Sequence, residues 1–140
     1  MPLPVLEAAA LLGRLLIAAL FLHEAWSKLT GYSIAVTYAQ AFGVPGVLVP
    51  AAIAVETGCG ILILLGYYAR AAALVLAGFC VTTAVLFHTN FGNRNELLHF
   101  EKDLAIAGGL LVLFARGAGG WALDTLWGMR YNITSPLPRT

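Results

Sequence analysis

The chain has 140 residues, 60 % of them hydrophobic and 11 % charged, with a formal net charge of +1. Soluble domains carry about 25 % charged residues, so this balance excludes an ordinary water-soluble globule and points to a membrane protein. A charge this near zero gives no basis for nucleic acid as a partner; the expected surrounding is the lipid bilayer.

The first helix is expected over about residues 5–26. It lacks a basic leader region and Arg14 interrupts its apolar run, so it reads as a retained helix rather than a cleaved signal. The connection that follows contains Gly31, Gly43 and Pro45, which are loop and helix-start signals. A second helix is expected over about 44–65 and a third over 69–88. The short turn Gly66-Tyr67-Tyr68 makes these two antiparallel neighbours. The third connection carries Asn90, Gly92, Asn93 and Asn95.

The fourth helix is less obvious. Leu104 to Ala115 is shorter than the roughly 20 residues a span needs, so the helix is expected over about 97–116. That start takes His99, Glu101, Lys102 and Asp103 into its first turns. An amphipathic segment follows over about 121–129, and the last residues, with Pro136 and Pro138, read as a flexible end. The fold class is all-α: an integral membrane four-helix bundle of up-down-up-down topology, forming a single domain over residues 1–140.

Trp26, Tyr32 and Tyr38 lie beyond one expected membrane face, and Tyr67, Tyr68, Trp121 and Trp127 at the other, as paired aromatic belts would. Arg70, Arg116, Arg130 and Arg139 fall on the side of the termini, against Lys28, Arg94 and Lys102 opposite. The positive-inside bias then puts both termini in the cytoplasm. Small residues, among them Gly58, Gly60, Gly78, Gly108 and Gly109, are expected to let helices approach. Cys59 and Cys80 form no CxxC and read as packing residues.

Charges at bilayer depth are costly and usually face a bundle interior or a polar cavity. Arg14 and Glu56 each lie about nine residues inside their helices, or about 13 Å deep. Equal depth allows a buried ion pair that holds the first two helices in register, which is the reading expected here; the alternative is a proton or quinone-headgroup site. Glu24 and Lys28 are spaced i, i+4 in the favourable order. His99, Lys102 and Asp103 share one face of the fourth helix and lie on the membrane side of Glu24, Lys28 and His88. Such groups could converge in one mouth able to hydrogen-bond quinone oxygens and transfer protons. His23, His88 and His99 form the alternative of a metal or haem site, but their spacing matches no compact ligand motif, so metal and haem are not expected. No phosphate-binding, nucleophile-elbow or HExxH motif occurs, and no catalytic residue is assigned.

The ordered set Gly13-Arg14-Leu15-Leu16, Ser27-Lys28-Leu29-Thr30-Gly31-Tyr32, Val55-Glu56-Thr57-Gly58, Leu65-Gly66-Tyr67-Tyr68-Ala69-Arg70, Phe87-His88, Phe100-Glu101-Lys102-Asp103 and Trp121-Ala122-Leu123-Asp124 resembles the DoxX family over almost the whole chain. The resemblance implies a small bacterial inner-membrane protein of four helices, in a family linked to quinone-reducing and redox systems. The family positions it carries over are Arg14, Lys28, Glu56, Arg70, His88, Lys102 and Asp124. Asp103 stands where relatives often have Asn, and His23-Glu24 adds charge where many have small or apolar residues.

The expected function is a membrane subunit of a redox system, with a quinone or similar lipophilic redox molecule bound at the polar mouth. Lys28, His88 and Lys102 would contact its oxygens, and Glu24, His99 and Asp103 would relay protons. Two alternatives belong to other classes. One is a membrane anchor or assembly partner for a soluble oxidoreductase, using the C-terminal segment. The other is a small transporter or channel, which would require a homo-oligomer.

Overall fold

A computed structural model describes residues 3–128. Met129, Arg130, Arg139, Pro136 and Pro138, which carry part of the C-terminal and charge-bias expectations, lie outside the described residues. Described residues form six α-helices and no strand: α1 Leu3–Thr30, α2 Tyr32–Ala41, α3 Val49–Leu65, α4 Ala69–Phe87, α5 Arg94–Arg116 and α6 Leu123–Leu126. A 3-10 turn, Gly46–Leu48, leads into α3. The protein is an all-α membrane bundle.

Among the described residues three helices are long and apolar enough to cross a membrane: Leu3–Thr30, Gly46–Leu65 and Ala69–Phe87. The fourth long helix, α5, has 23 residues, but its first half carries Arg94, Glu96, Glu101, Lys102 and Asp103. It begins at Arg94 because the Asn93 side chain caps it, accepting a hydrogen bond from Asn95 N–H at 2.9 Å.

The first helix continues past Trp26 to Thr30, where the Thr30 hydroxyl donates to the Trp26 carbonyl at 2.9 Å. Lys28 is therefore helical, one turn beyond Glu24. The segment expected as a loop is largely helix. The Gly31 amide still bonds the Ser27 carbonyl at 2.9 Å, and Ala35 N–H bonds the Gly31 carbonyl at 3.0 Å. The chain thus bends at Gly31 and resumes helical bonding in α2. The helix expected from residue 44 starts at Val49, with Pro50 in its first turn, where the missing N–H costs nothing.

Packing runs α1 on α3, α3 on α4 and α4 on α5. The core holds Ala18 and Phe21 of α1, Ile63 of α3, Ala72, Ala73, Leu76, Ala77 and Cys80 of α4, and Ala107 and Leu110 of α5. Alanine on α4 lets its neighbours approach closely, the usual device where lipid offers no hydrophobic drive. The glycines divide differently from expectation. Gly60 is packed, since a Cβ there would meet Leu22 at 3.1 Å, whereas Gly58, Gly78, Gly108 and Gly109 have open space. Both cysteines are free thiols, Cys80 buried and Cys59 partly so.

Antiparallel α1 and α3 are offset along their axes. Gly60 lies against Leu22, and Gly66 lies against the Arg14 guanidinium. The C-terminal end of α3 is therefore level with Arg14, and the first turns of α1 run past it. There they meet the segment after α5: Gly120 N–H donates to the Glu7 carboxylate, and Gly119 abuts Ala10.

Candidate functional site

Arg14 and Glu56 do not pair. Arg14 Nη1 donates to the Ala118 carbonyl at 3.0 Å and Nη2 to the Trp121 carbonyl at 2.8 Å. Glu56 Oε1 instead accepts from Lys28 Nζ at 2.9 Å. The reason is the axial offset. Glu56 lies ten residues before Gly66, about 15 Å along α3 from the level of Arg14. Equal depth would hold only if the two helix ends were level.

Arg14 is instead the centre of a clasp at the end of the bundle nearest the described N-terminus. It fixes the chain between α5 and α6, while Asp124 accepts from Tyr68 N–H at 2.8 Å and Ala69 N–H at 3.1 Å. Asp124 thereby caps α4 from a different element, satisfying amides that its own turn leaves free. Gly66 adopts φ 67°, ψ 37°, and its carbonyl accepts from Asp124 N–H at 2.9 Å. Tyr67 stacks edge-on against Tyr68 and Trp127, with centroids 4.6 and 5.3 Å apart.

The other end of the bundle holds a half-open cavity of about 890 Å³. Its wall is mainly apolar, with Leu20, Phe21, Val55, Phe79, Leu86 and Ile106 among its residues. Glu24, Lys28, His88, His99, Lys102 and Asp103 all line it. The bundle therefore brings together in one space the residues grouped from helix faces. His23 is exposed and outside the lining, and no cluster of three or more His, Cys, Asp or Glu able to hold a metal occurs among the described residues.

Three local pairings order the polar wall. Lys28 Nζ bridges Glu24 Oε2 at 3.1 Å and Glu56 Oε1 at 2.9 Å. His88 Nδ1 lies 2.8 Å from Glu96 Oε2, and the His88 ring stacks on His99 with centroids 5.0 Å apart. Thr83 donates to Asp103 Oδ2 at 3.4 Å, linking α4 to α5. With Nδ1 engaged by Glu96, the Nε2 of His88 is left for another partner. Among the described residues Lys102 has no carboxylate within 4.0 Å, so its ammonium is also uncommitted.

Sequence reasoning missed three members of this wall. Helix depth alone pairs Glu56 with Arg14, whereas its partner is Lys28. Glu96 has as its one sequence signal an Asn-x-x-Glu start, which places an acid in a helix's first turn. The aromatic pattern places Tyr38 only in an interfacial belt. It belongs to α2, whose residues Ile34, Ala35, Tyr38 and Ala39 cover one side of the cavity. The i, i+1, i+4, i+5 spacing of those four is a helical signal that the neighbouring glycines obscured. Tyr38 packs on Phe42 and Phe87 with centroids 5.0 and 5.6 Å apart, pinning α2 to the end of α4. Burial and the Glu96 carboxylate push the Tyr38 phenol above its usual range, so it stays a neutral hydroxyl.

The family model named DoxX matches residues 9–89, which run from within α1 through the end of α4 and hold most of the cavity wall. The chain belongs to the DoxX family. It is 42 % identical over 120 residues to the inner membrane protein YqjF of Escherichia coli K12, covering 86 % of this chain and 92 % of that one. It is 30 % identical over 121 residues to the inner membrane protein YphA of the same organism, covering 81 % and 86 %. No solved structure matches it. This DoxX protein is accordingly a membrane protein, and both named relatives are proteins of the inner membrane.

Proposed function

We propose that this DoxX protein is a membrane subunit of a redox system and binds a quinone, or a similar lipophilic redox molecule, in the cavity. One observation carries the reading: a single space of about 890 Å³ combines a broad apolar wall with cationic and proton-exchanging groups from α1, α4 and α5. A cofactor or ligand site commonly has this form, an apolar enclosure with a few polar groups that fix orientation. Leu20, Val55, Phe79 and Ile106 would hold the ring and the start of an isoprenoid tail. Lys102 would donate to a carbonyl oxygen, as would His88 Nε2 in the doubly protonated ring, and Lys28 has one ammonium proton beyond its two carboxylate bonds. Glu24, His99 and Asp103 would exchange protons with the ligand on reduction.

The protein resides in the inner membrane with both termini in the cytoplasm, so the cavity faces the opposite side. The location follows the two relatives, and the orientation follows the sequence bias of Arg70, Arg116, Arg130 and Arg139 against Lys28, Arg94 and Lys102.

The test is a binding titration of purified protein in nanodiscs with a short-chain quinone. Saturable binding is expected, weakened at least about tenfold by Lys102→Ala, the loss of one charge-assisted hydrogen bond. Arg14→Lys, at the far end of the bundle, should leave it unchanged. Absence of saturable quinone binding overturns the reading.

A further inference from the structure

Glu56 is 2 % exposed, yet it uses only part of its accepting capacity. Its Oε1 takes one hydrogen bond from Lys28, and its Oε2 is buried with no partner. The Lys28 ammonium at 2.9 Å favours the ionised, acceptor-only form of this carboxylate. An unmet buried acceptor is unfavourable, and Glu56 is among the residues that line the cavity. A ligand that donates a hydrogen bond relieves that deficit. A ligand that only accepts leaves it in place and brings a second acceptor beside it.

We infer that the cavity selects the hydroxyl-bearing, reduced form of its ligand over the carbonyl form, with Glu56 as the selecting residue. The inference rests on the redox-ligand reading above and deepens it. A quinone offers only acceptors, whereas its two-electron-reduced hydroquinone offers two O–H donors. Glu56 meets one of them; the Lys102 ammonium, a donor only, is satisfied by the oxygen lone pairs of either form. The preference therefore resides in the acceptors, with Glu56 the buried one that lacks a partner, and not in the lysines. No electron transfer is involved in the selection itself.

The substitution Glu56→Gln makes a sharper demand than simple loss. Lys28 can only donate, so it holds the amide oxygen, and the amide NH₂ takes the place of Oε2. An acceptor then becomes a donor, and the preference should reverse towards the carbonyl form.

The experiment compares four probes on the nanodisc-embedded protein under anaerobic conditions: a short-chain benzoquinone, its hydroquinone, and the mono- and dimethyl ethers of that hydroquinone. The hydroquinone should bind about tenfold or more tighter than the quinone, the effect of one charge-assisted hydrogen bond. The monomethyl ether should keep most of that advantage and the dimethyl ether lose it. E56Q should bind the quinone at least as tightly as the hydroquinone. Equal affinity for quinone and hydroquinone, or undiminished binding of the dimethyl ether, overturns the inference while leaving the ligand class standing. No binding of any probe overturns both. Should E56Q fail to fold, judged by its melt and elution in detergent, the ether series on the unaltered protein decides.

Discussion

Lys28 Nζ on α1 reaches Glu56 Oε1 on α3 at 2.9 Å, joining a partly solvated cation to an almost fully buried carboxylate. The pair closes one end of the α1–α3 contact, and Arg14 secures the other end through backbone carbonyls of the C-terminal segment. Two charges that could have neutralised each other are thus each committed elsewhere, some 15 Å apart along the helix axis.

Removing the cation alone should be the more harmful half of that pair. Lys28→Met leaves Glu56 buried and uncompensated, a loss of about 3 kcal/mol. Glu56→Gln, which keeps an acceptor for Lys28, should cost less. The double variant Lys28→Met/Glu56→Gln should recover part of the loss of Lys28→Met. Thermal melts of the purified proteins in one detergent measure all three.

Arg14→Ala strands the Ala118 and Trp121 carbonyls, each worth about 1–3 kcal/mol if left without a donor. Its effect should add to that of Glu56→Gln, because the two residues share no partner. Limited proteolysis should show faster cleavage in the Gly117–Gly120 stretch of Arg14→Ala than of the unaltered protein. A double variant no less stable than the worse single one would restore the direct pair.

Two glycines of one helix region should respond oppositely. Gly66 has a left-handed backbone, and a Cβ there would overlap both the Arg14 guanidinium and the Ala122 methyl group. Gly66→Ala should therefore lower stability by more than 1 kcal/mol, combining backbone strain with displacement of the clasp. Gly58 is helical with nothing within 4 Å of a new Cβ, so Gly58→Ala should be neutral or raise stability by about 0.5–1 kcal/mol. Denaturation midpoints in a single detergent compare them directly.

Tyr38 supplies the pH prediction. Burial first and the Glu96 carboxylate second raise its phenol above 10.0, the ordinary value. The folded state then holds that proton more tightly than the unfolded chain. Its contribution to stability is complete below about pH 10 and is lost as pH rises through the folded value. The difference in absorbance at about 295 nm between the protein and Tyr38→Phe should show late ionisation of this tyrosine. In Glu96→Gln the same difference should move to lower pH.

Much of the candidate site was legible because helical periodicity is local. Glu24 and Lys28 one turn apart, and His99, Lys102 and Asp103 on one face, follow from residue spacing whatever the neighbours do. Their meeting in one cavity was legible as well, since alternating helix direction puts the end of α1, the end of α4 and the start of α5 on one side. The α2 helix was not. Gly31 and Gly43 bracket only ten residues, a length at which helix stability comes from packing rather than propensity, here on Phe87 and the cavity edge.

The amino-acid sequence by itself determined that this protein lives in a membrane, that it is helical, and which faces of its helices carry the charges. Composition and period are enough for that, because burial of apolar length and the 3.6-residue repeat act within each segment. Only the tertiary structure decided who partners whom. The axial offset of α1 against α3 arises from packing Gly60 on Leu22 and from seating Gly66 beside Arg14, contacts between distant residues that no local pattern records. That offset moves Arg14 to the C-terminal clasp and Glu56 to the cavity, where Lys28 meets it.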